Sequence, residues 1–101
     1  MIIVTGSVTA RADSFDALLA ASRAHVMRSR GEDGCISHAV HVDCDDPLRL
    51  FFFEQWRDQA ALQRHFEQPG STEFMTAVKA LSASSDGMAI FDATPRAVDG
   101  E

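Results

Sequence analysis

His65 is the residue of this chain best suited to acid–base chemistry. It lies between Leu62 and Phe66, on the expected inner face of a helix that Asp58 would cap, so its ring is expected to point into the domain. A neutral imidazole, with an ordinary pKa of about 6.5, can take the proton of a phenol. A hydrogen-bonded core histidine that fixes the helix to a sheet would have the same sequence, and both readings stand at this point.

Trp56 can stack on a flat aromatic ligand, or pack in a core or interface. Glu54 sits in the apolar run Leu50–Trp56, LFFFEQW. A buried carboxylate needs a partner, here backbone donors or an arginine of a second copy, and the structural role is preferred to a catalytic one. His38 shares its expected strand face with Ile36, Val40 and Val42, where it either meets a ligand hydroxyl or simply packs. His41 has the opposite parity and should face solvent or a second copy, and His25 is expected to be partly exposed on a helix.

No metal site is expected. His38 and His41, three apart on a strand, cannot share an ion, and no other His, Cys, Asp or Glu spacing is zinc-like. Asp43, Asp45 and Asp46 lack the glycine and terminal glutamate of a calcium loop. The glycines make no phosphate-binding pattern, so neither nucleotide nor flavin is expected, and the expected cofactor set is none.

These residues need elements to position them. Ile2–Ala10 alternates as a half-buried strand. Asp13 offers an N-cap for a helix over about 14–29, with Gly31 as its stop. Cys35–Asp43 and Leu48–Trp56 read as a hairpin around the acidic loop Cys44–Pro47. A helix follows Asp58, Pro69-Gly70 interrupts it, and a second helical piece starts near Ser71 with Phe74, Ala77, Val78 and Leu81 inward. Ser82–Gly87 reads as a polar loop and Met88–Ala93 as a last strand. The order β-α-β-β-α-β is the ferredoxin-like α+β arrangement, with a four-stranded antiparallel sheet and both helices on one face. One domain is expected over 1–94, with 95–101 a flexible tail.

Leu50, Phe52, Glu54 and Trp56 share one face of this strand and Phe51, Phe53 and Gln55 the other, and the helices cover only one of the two. The face left over, with either Phe51 and Phe53 or Phe52 and Trp56, has nothing in the chain to cover it, and a second copy is the expected cover, giving a homodimer.

The whole-chain balance excludes other partners. Nine Lys and Arg against fifteen Asp and Glu leave a net charge of −6 with no basic patch, so no nucleic acid is expected. No apolar run reaches the ~20 residues of a membrane span, and MIIVTGSVTA lacks the basic start of a signal peptide. Cys35 and Cys44, nine apart, would stand about 30 Å apart in an extended segment, far beyond disulfide reach. Two free thiols suit a reducing cytoplasm.

Glu32-Asp33-Gly34-Cys35-Ile36 resembles the E-x-G-C-(I/L) segment of the antibiotic biosynthesis monooxygenase family. Phe53-Glu54-Gln55-Trp56, Ala61-Leu62, His65, Pro69 and Phe74 resemble that family's E-x-W…L-x-x-H…P…F signature. The similarity runs from about Ile2 to Phe91. It implies a dimeric α+β barrel with a pocket between helices and sheet in each subunit. It also implies a cofactor-independent monooxygenase that uses O₂ on a small aromatic hydroxyl compound, a quinol or polycyclic phenol. The implied site has His65 as the base and His38, Trp56, Phe66, Phe74 and Met75 around the substrate. A non-catalytic small-molecule-binding or dimerisation module on the same fold is the alternative. The chain departs from its relatives in having no tyrosine, so His38 or hydroxyl side chains would stand in for a pocket Tyr. The haem-degrading branch has a ligating histidine shortly after the position of Phe74. Here Met75-Thr76-Ala77-Val78-Lys79 follows, so haem degradation is not expected.

Overall fold

The alternating segments pair into one sheet. The computed structural model describes residues 1–99, in the order β1 (Ile2–Ala10), α1 (Phe15–Ser29), β2 (Cys35–Val42), β3 (Arg49–Trp56), α2 (Gln59–Glu67), α3 (Pro69–Leu81) and β4 (Ser82–Asp92). The sheet order is β2-β3-β1-β4 and every neighbouring pair is antiparallel. This is the expected ferredoxin-like α+β fold. The expected tail over 95–101 has no helix or strand in its described part, and its last two residues, 100 and 101, lie outside the described residues.

Ile2, Val4, Val8 and Ala10 of β1 and Leu50, Phe52, Glu54 and Trp56 of β3 are buried under the helices, as alternation requires. The core has two parts. One gathers Val8, Leu18, Val26, Leu50, Phe52 and Val78, the other Ile2, Val4, Trp56, Ala61 and Leu62. Phe51 and Phe53 sit half-buried on the opposite face, across from Ser7 and His41 and from Thr5 and Ala39.

Four local expectations are corrected. Ser14, not Asp13, flanks α1, and its hydroxyl donates to the Leu81 carbonyl at 2.6 Å, tying the start of α1 to the end of α3. The expected interruption is present, at the extended Gln68, but α3 starts at Pro69 rather than near Ser71, because proline at a first helical position lacks only an N–H that would be unpaired anyway. Ile36 is not inward. Cys35 faces Trp56 and Ser37 faces Gln55, so Ile36 is the extra residue of a bulge and is 54% exposed. Val42, also expected inside, is exposed at the end of the strand.

Ser82–Gly87 is strand, not loop. The β1 backbone needs partners on this side, and an edge strand exposed on both faces carries serines without penalty. Its pairing is irregular between Ser7 and Val8 and between Thr9 and Ala10.

The turn before β2 is tied to the start of α2. Gly34 has φ +85°, and a Cβ there would collide with Ala61. Its carbonyl accepts from the Arg57 amide at 2.8 Å, while Asp58 caps α2 by accepting from the Ala61 amide at 2.8 Å.

Candidate functional site

Three histidines from three elements meet beneath the helices: His25 of α1, His38 of β2 and His65 of α2. Their ring centroids lie 5.2–5.6 Å apart, and they are 6%, 1% and 3% exposed.

His25 corrects the expectation of partial exposure. It belongs to the buried stripe Leu18, Ser22, His25, Val26 and Ser29. Ser22 and Ser29 can sit inside because their hydroxyls donate to the carbonyls of Leu18 and His25, each at 2.7 Å. The His25 ring stacks on Phe74, with centroids 4.3 Å apart and planes 8° from parallel. Burial pushes its pKa down to about 3, helped by the neighbouring His38 and His65, so the ring is neutral.

His65 is held at both ends. Its Nδ1 lies 2.8 Å from Glu32 Oε1, and because a carboxylate accepts, Nδ1 donates, which in the neutral ring leaves Nε2 as the acceptor. Its carbonyl accepts from the Ser71 hydroxyl at 2.6 Å. Glu32 was visible in sequence only as part of a turn motif, since nothing in a 33-residue separation marks the pair.

Within the chain, Glu54 finds its partners in tryptophan and histidine rather than backbone. Its Oε1 accepts from Trp56 Nε1 at 2.9 Å and lies 3.3 Å from His38 Nε2 and 4.0 Å from His65 Nε2. The His38 approach is too far out of line for a hydrogen bond, and both ring nitrogens of His38 are buried without a hydrogen-bond partner among the described residues. Burial pushes the Glu54 carboxyl up, but His38, Trp56 and His65 outweigh it and hold it below the ordinary carboxylate value.

A cavity of about 490 Å³ opens onto this cluster. His25, Glu54 and His65 form its polar end, and Phe52, Phe66, Phe74, Met75 and Met88 are among its apolar walls. Of the site residues expected from sequence, His65, Phe66, Phe74 and Met75 therefore line one cavity. His38 and Trp56 do not. They lie behind its wall, 1% and 0% exposed, so the expected stacking of Trp56 on a ligand is replaced by a Trp56 ring packed 4.6 Å from that of His65. His41 is exposed on the outer face.

The expectation that no residues are placed to share a metal is also corrected. One nitrogen from each of His25, His38 and His65 lies within 4.8 Å of the others. Sequence spacing could not reveal the group because its members come from separate elements. Asp43, by contrast, is occupied as a turn residue, accepting from the amides of Asp45 and Asp46 and pairing with Arg49 at 2.7 Å.

Known proteins share this arrangement of elements. Uncharacterized protein sll1783 of Synechocystis sp. is 36% identical over 74 residues, which are 73% of this chain and 50% of that protein. The chain thus spans about half the length of this curated relative. A Deinococcus radiodurans protein, named provisionally as an antibiotic biosynthesis monooxygenase, superposes with a TM-score of 0.91 at 25% identity over 97% of each chain. Rv0793 of Mycobacterium tuberculosis superposes at 0.86 with 26% identity over 96% of this chain and 98% of that one. For PA3566 of Pseudomonas aeruginosa the TM-score is 0.83 and the identity 30%, over 93% and 94%. The sequence profile of the antibiotic biosynthesis monooxygenases matches residues 1–77, a span that holds His25, Glu32, His38, Glu54, Trp56 and His65. By that match, the chain belongs to the antibiotic biosynthesis monooxygenase family.

Proposed function

We propose that the protein is a monooxygenase that uses O₂, without an organic cofactor, on a small aromatic hydroxyl compound such as a quinol or polycyclic phenol. The observation that carries the reading is His65 Nε2, left as an acceptor in the neutral ring by the Glu32–Nδ1 contact, in a cavity whose walls are mostly apolar. The substrate hydroxyl meets Nε2 while its ring lies among Phe66, Phe74 and Met75. Proton transfer to Nε2 makes the ring electron-rich, and a ring carbon bonds to O₂. The resulting hydroperoxide loses water and leaves a carbonyl. One oxygen atom stays in the product and the other departs as water, so no external reductant is needed. The apolar walls exclude bulk water from the reactive anion. Trp56 serves this site from behind, donating to Glu54 and packing against the His65 ring.

The same reading makes residues 1–94 one functional unit in a homodimer, with the outer faces of two sheets packed over Phe51 and Phe53 and the free thiols Cys35 and Cys44 kept in a reducing cytoplasm. No described helix is long and apolar enough to cross a membrane.

A second reading has its own support. The polar groups at the cavity end already have partners outside it, Glu54 in Trp56 and His65 in Glu32, which suits a non-catalytic binding module. Oxygen uptake with a panel of reduced quinols and anthrones separates the two, using wild type, His65→Ala and an enzyme-free blank. Uptake above the blank that is lost in His65→Ala supports the oxygenase. Ligand binding with no uptake supports the module.

A further inference from the structure

We propose that His25, His38 and His65 form a binding site for a single divalent first-row transition metal ion, with Glu54 as the neighbouring negative charge. This goes beyond the oxygenase reading and does not rest on it.

Four observations converge. The three rings bring one nitrogen each within 4.8 Å of the others. Bonds of about 2.0–2.1 Å at tetrahedral angles set such nitrogens about 3.3 Å apart, so each would move inward by less than about an ångström. His38 is free to make that move, because neither of its buried ring nitrogens has a hydrogen-bond partner among the described residues, and one of them lies within 4.8 Å of a nitrogen of each of the other two histidines. Two unpartnered nitrogens on a sealed imidazole are costly in an apolar core, and an ion removes half of that deficit. His65 already has the outer support that metal-binding histidines use, its Nδ1–H on a carboxylate with Nε2 turned inward. Finally, Glu54 Oε1 stands 3.3 Å and 4.0 Å from the Nε2 atoms of His38 and His65, where it compensates the charge of a buried dication.

The donor set identifies the class of ion. Imidazole nitrogens suit zinc, cobalt and iron(II), whereas calcium and magnesium require oxygen ligands. His25 and His65 reach the cavity wall, so a fourth coordination position opens toward the cavity, as in sites that keep one place for water or substrate. Nε2 of His65 cannot be both ligand and base. Metal and substrate proton compete for one lone pair, and loading with Zn²⁺ suppresses any His65-dependent oxygen uptake.

The test uses the full chain, stripped with a chelator and titrated with Co²⁺ alone. Uptake of about one equivalent is expected, with the intense visible bands of four-coordinate cobalt and displacement by Zn²⁺. The bands should be lost in His25→Phe and His38→Leu, and kept in His41→Ala, which removes the exposed histidine. Absence of bands in wild type overturns the proposal, as does loss in His41→Ala with retention in the other two. If the core variants fail to fold by circular dichroism, wild type decides alone through ¹⁵N spectra of its histidines. Zn²⁺ should shift His25, His38 and His65 together and leave His41 in place, and a response confined to His41 overturns the proposal. None of these readouts involves oxygen, so failure of the oxygenase reading leaves the test intact.

Discussion

Glu32 and His65 are joined at 2.8 Å through Oε1 and Nδ1, a contact between the turn before β2 and the last turn of α2. The Glu32 side chain is 22% exposed and that of His65 is 3% exposed, so the pair links solvent to the cavity end. The contact selects one imidazole tautomer, and with it the nitrogen that can act as a base.

Glu32→Ala is therefore expected to act through His65. It should lower the rate of His65-dependent oxygen uptake about 10–100-fold while changing KM little, since Glu32 does not touch the cavity. Imidazole ¹⁵N shifts should move from a single Nδ1–H tautomer to a mixture. A rate loss with the tautomer unchanged would assign Glu32 a purely structural role.

His25 makes stability depend on pH. Its pKa is 6.5 when unfolded and about 3 when folded, lowered first by burial and then by His38 and His65, with Arg28 acting the same way and Glu54 opposing. Between those values the unfolded chain binds the extra proton, so stability is complete above pH 6.5 and falls as the pH drops through the window. The slope approaches about 1.4 kcal/mol per pH unit for one proton. Glu54 is also held low, but its contribution is lost only below its ordinary value of 4.5, so the two are separable. Urea unfolding of chelator-stripped protein between pH 7.5 and 5 should show the slope in wild type and a flatter line in His25→Phe. Equal slopes would remove His25 from the account.

Trp56 and Phe66 should separate stability from binding. Trp56→Phe removes the 2.9 Å donor to the buried Glu54 carboxylate and should cost about 1.5–3 kcal/mol. It should leave KM unchanged, because Trp56 lies behind the cavity wall. Phe66 is 36% exposed and lines the cavity, so Phe66→Ala should raise KM about 3–10-fold with little loss of stability. The reverse pattern would return Trp56 to the ligand.

Patterning made the frame legible and missed features that depend on tertiary contacts. Leu50, Phe52, Glu54 and Trp56 were read onto one face of their strand because period-two alternation needs no further information, but alternation alone does not say which face the helices cover. Ile36 was misread because a bulge leaves the alternation of Cys35–Val42 unbroken on paper. Ser82–Gly87 was misread because an exposed edge strand needs backbone pairing and not apolar side chains. His25 was missed because helical spacing alone does not show that a polar stripe can sit inside, with the Ser22 and Ser29 hydroxyls bonded to their own helix on either side of it. His65 was legible because Leu62 marks the inward side of α2. Its partner Glu32, 33 residues away, was not.

The outer sheet face gives the last prediction. Phe51 and Phe53 are half-buried there with no helix above them, and covering large apolar side chains contributes roughly 1.5–3 kcal/mol each. A face-to-face dimer gains that term in both copies at once. Light scattering at micromolar concentration should give about 22 kDa, twice the 11.0 kDa of the chain. The double variant Phe51→Lys with Phe53→Lys should halve that mass while keeping its circular dichroism, since neither side chain belongs to the buried core. A wild-type mass near 11 kDa would show that the two phenylalanines face solvent, and a second copy would no longer explain the run LFFFEQW.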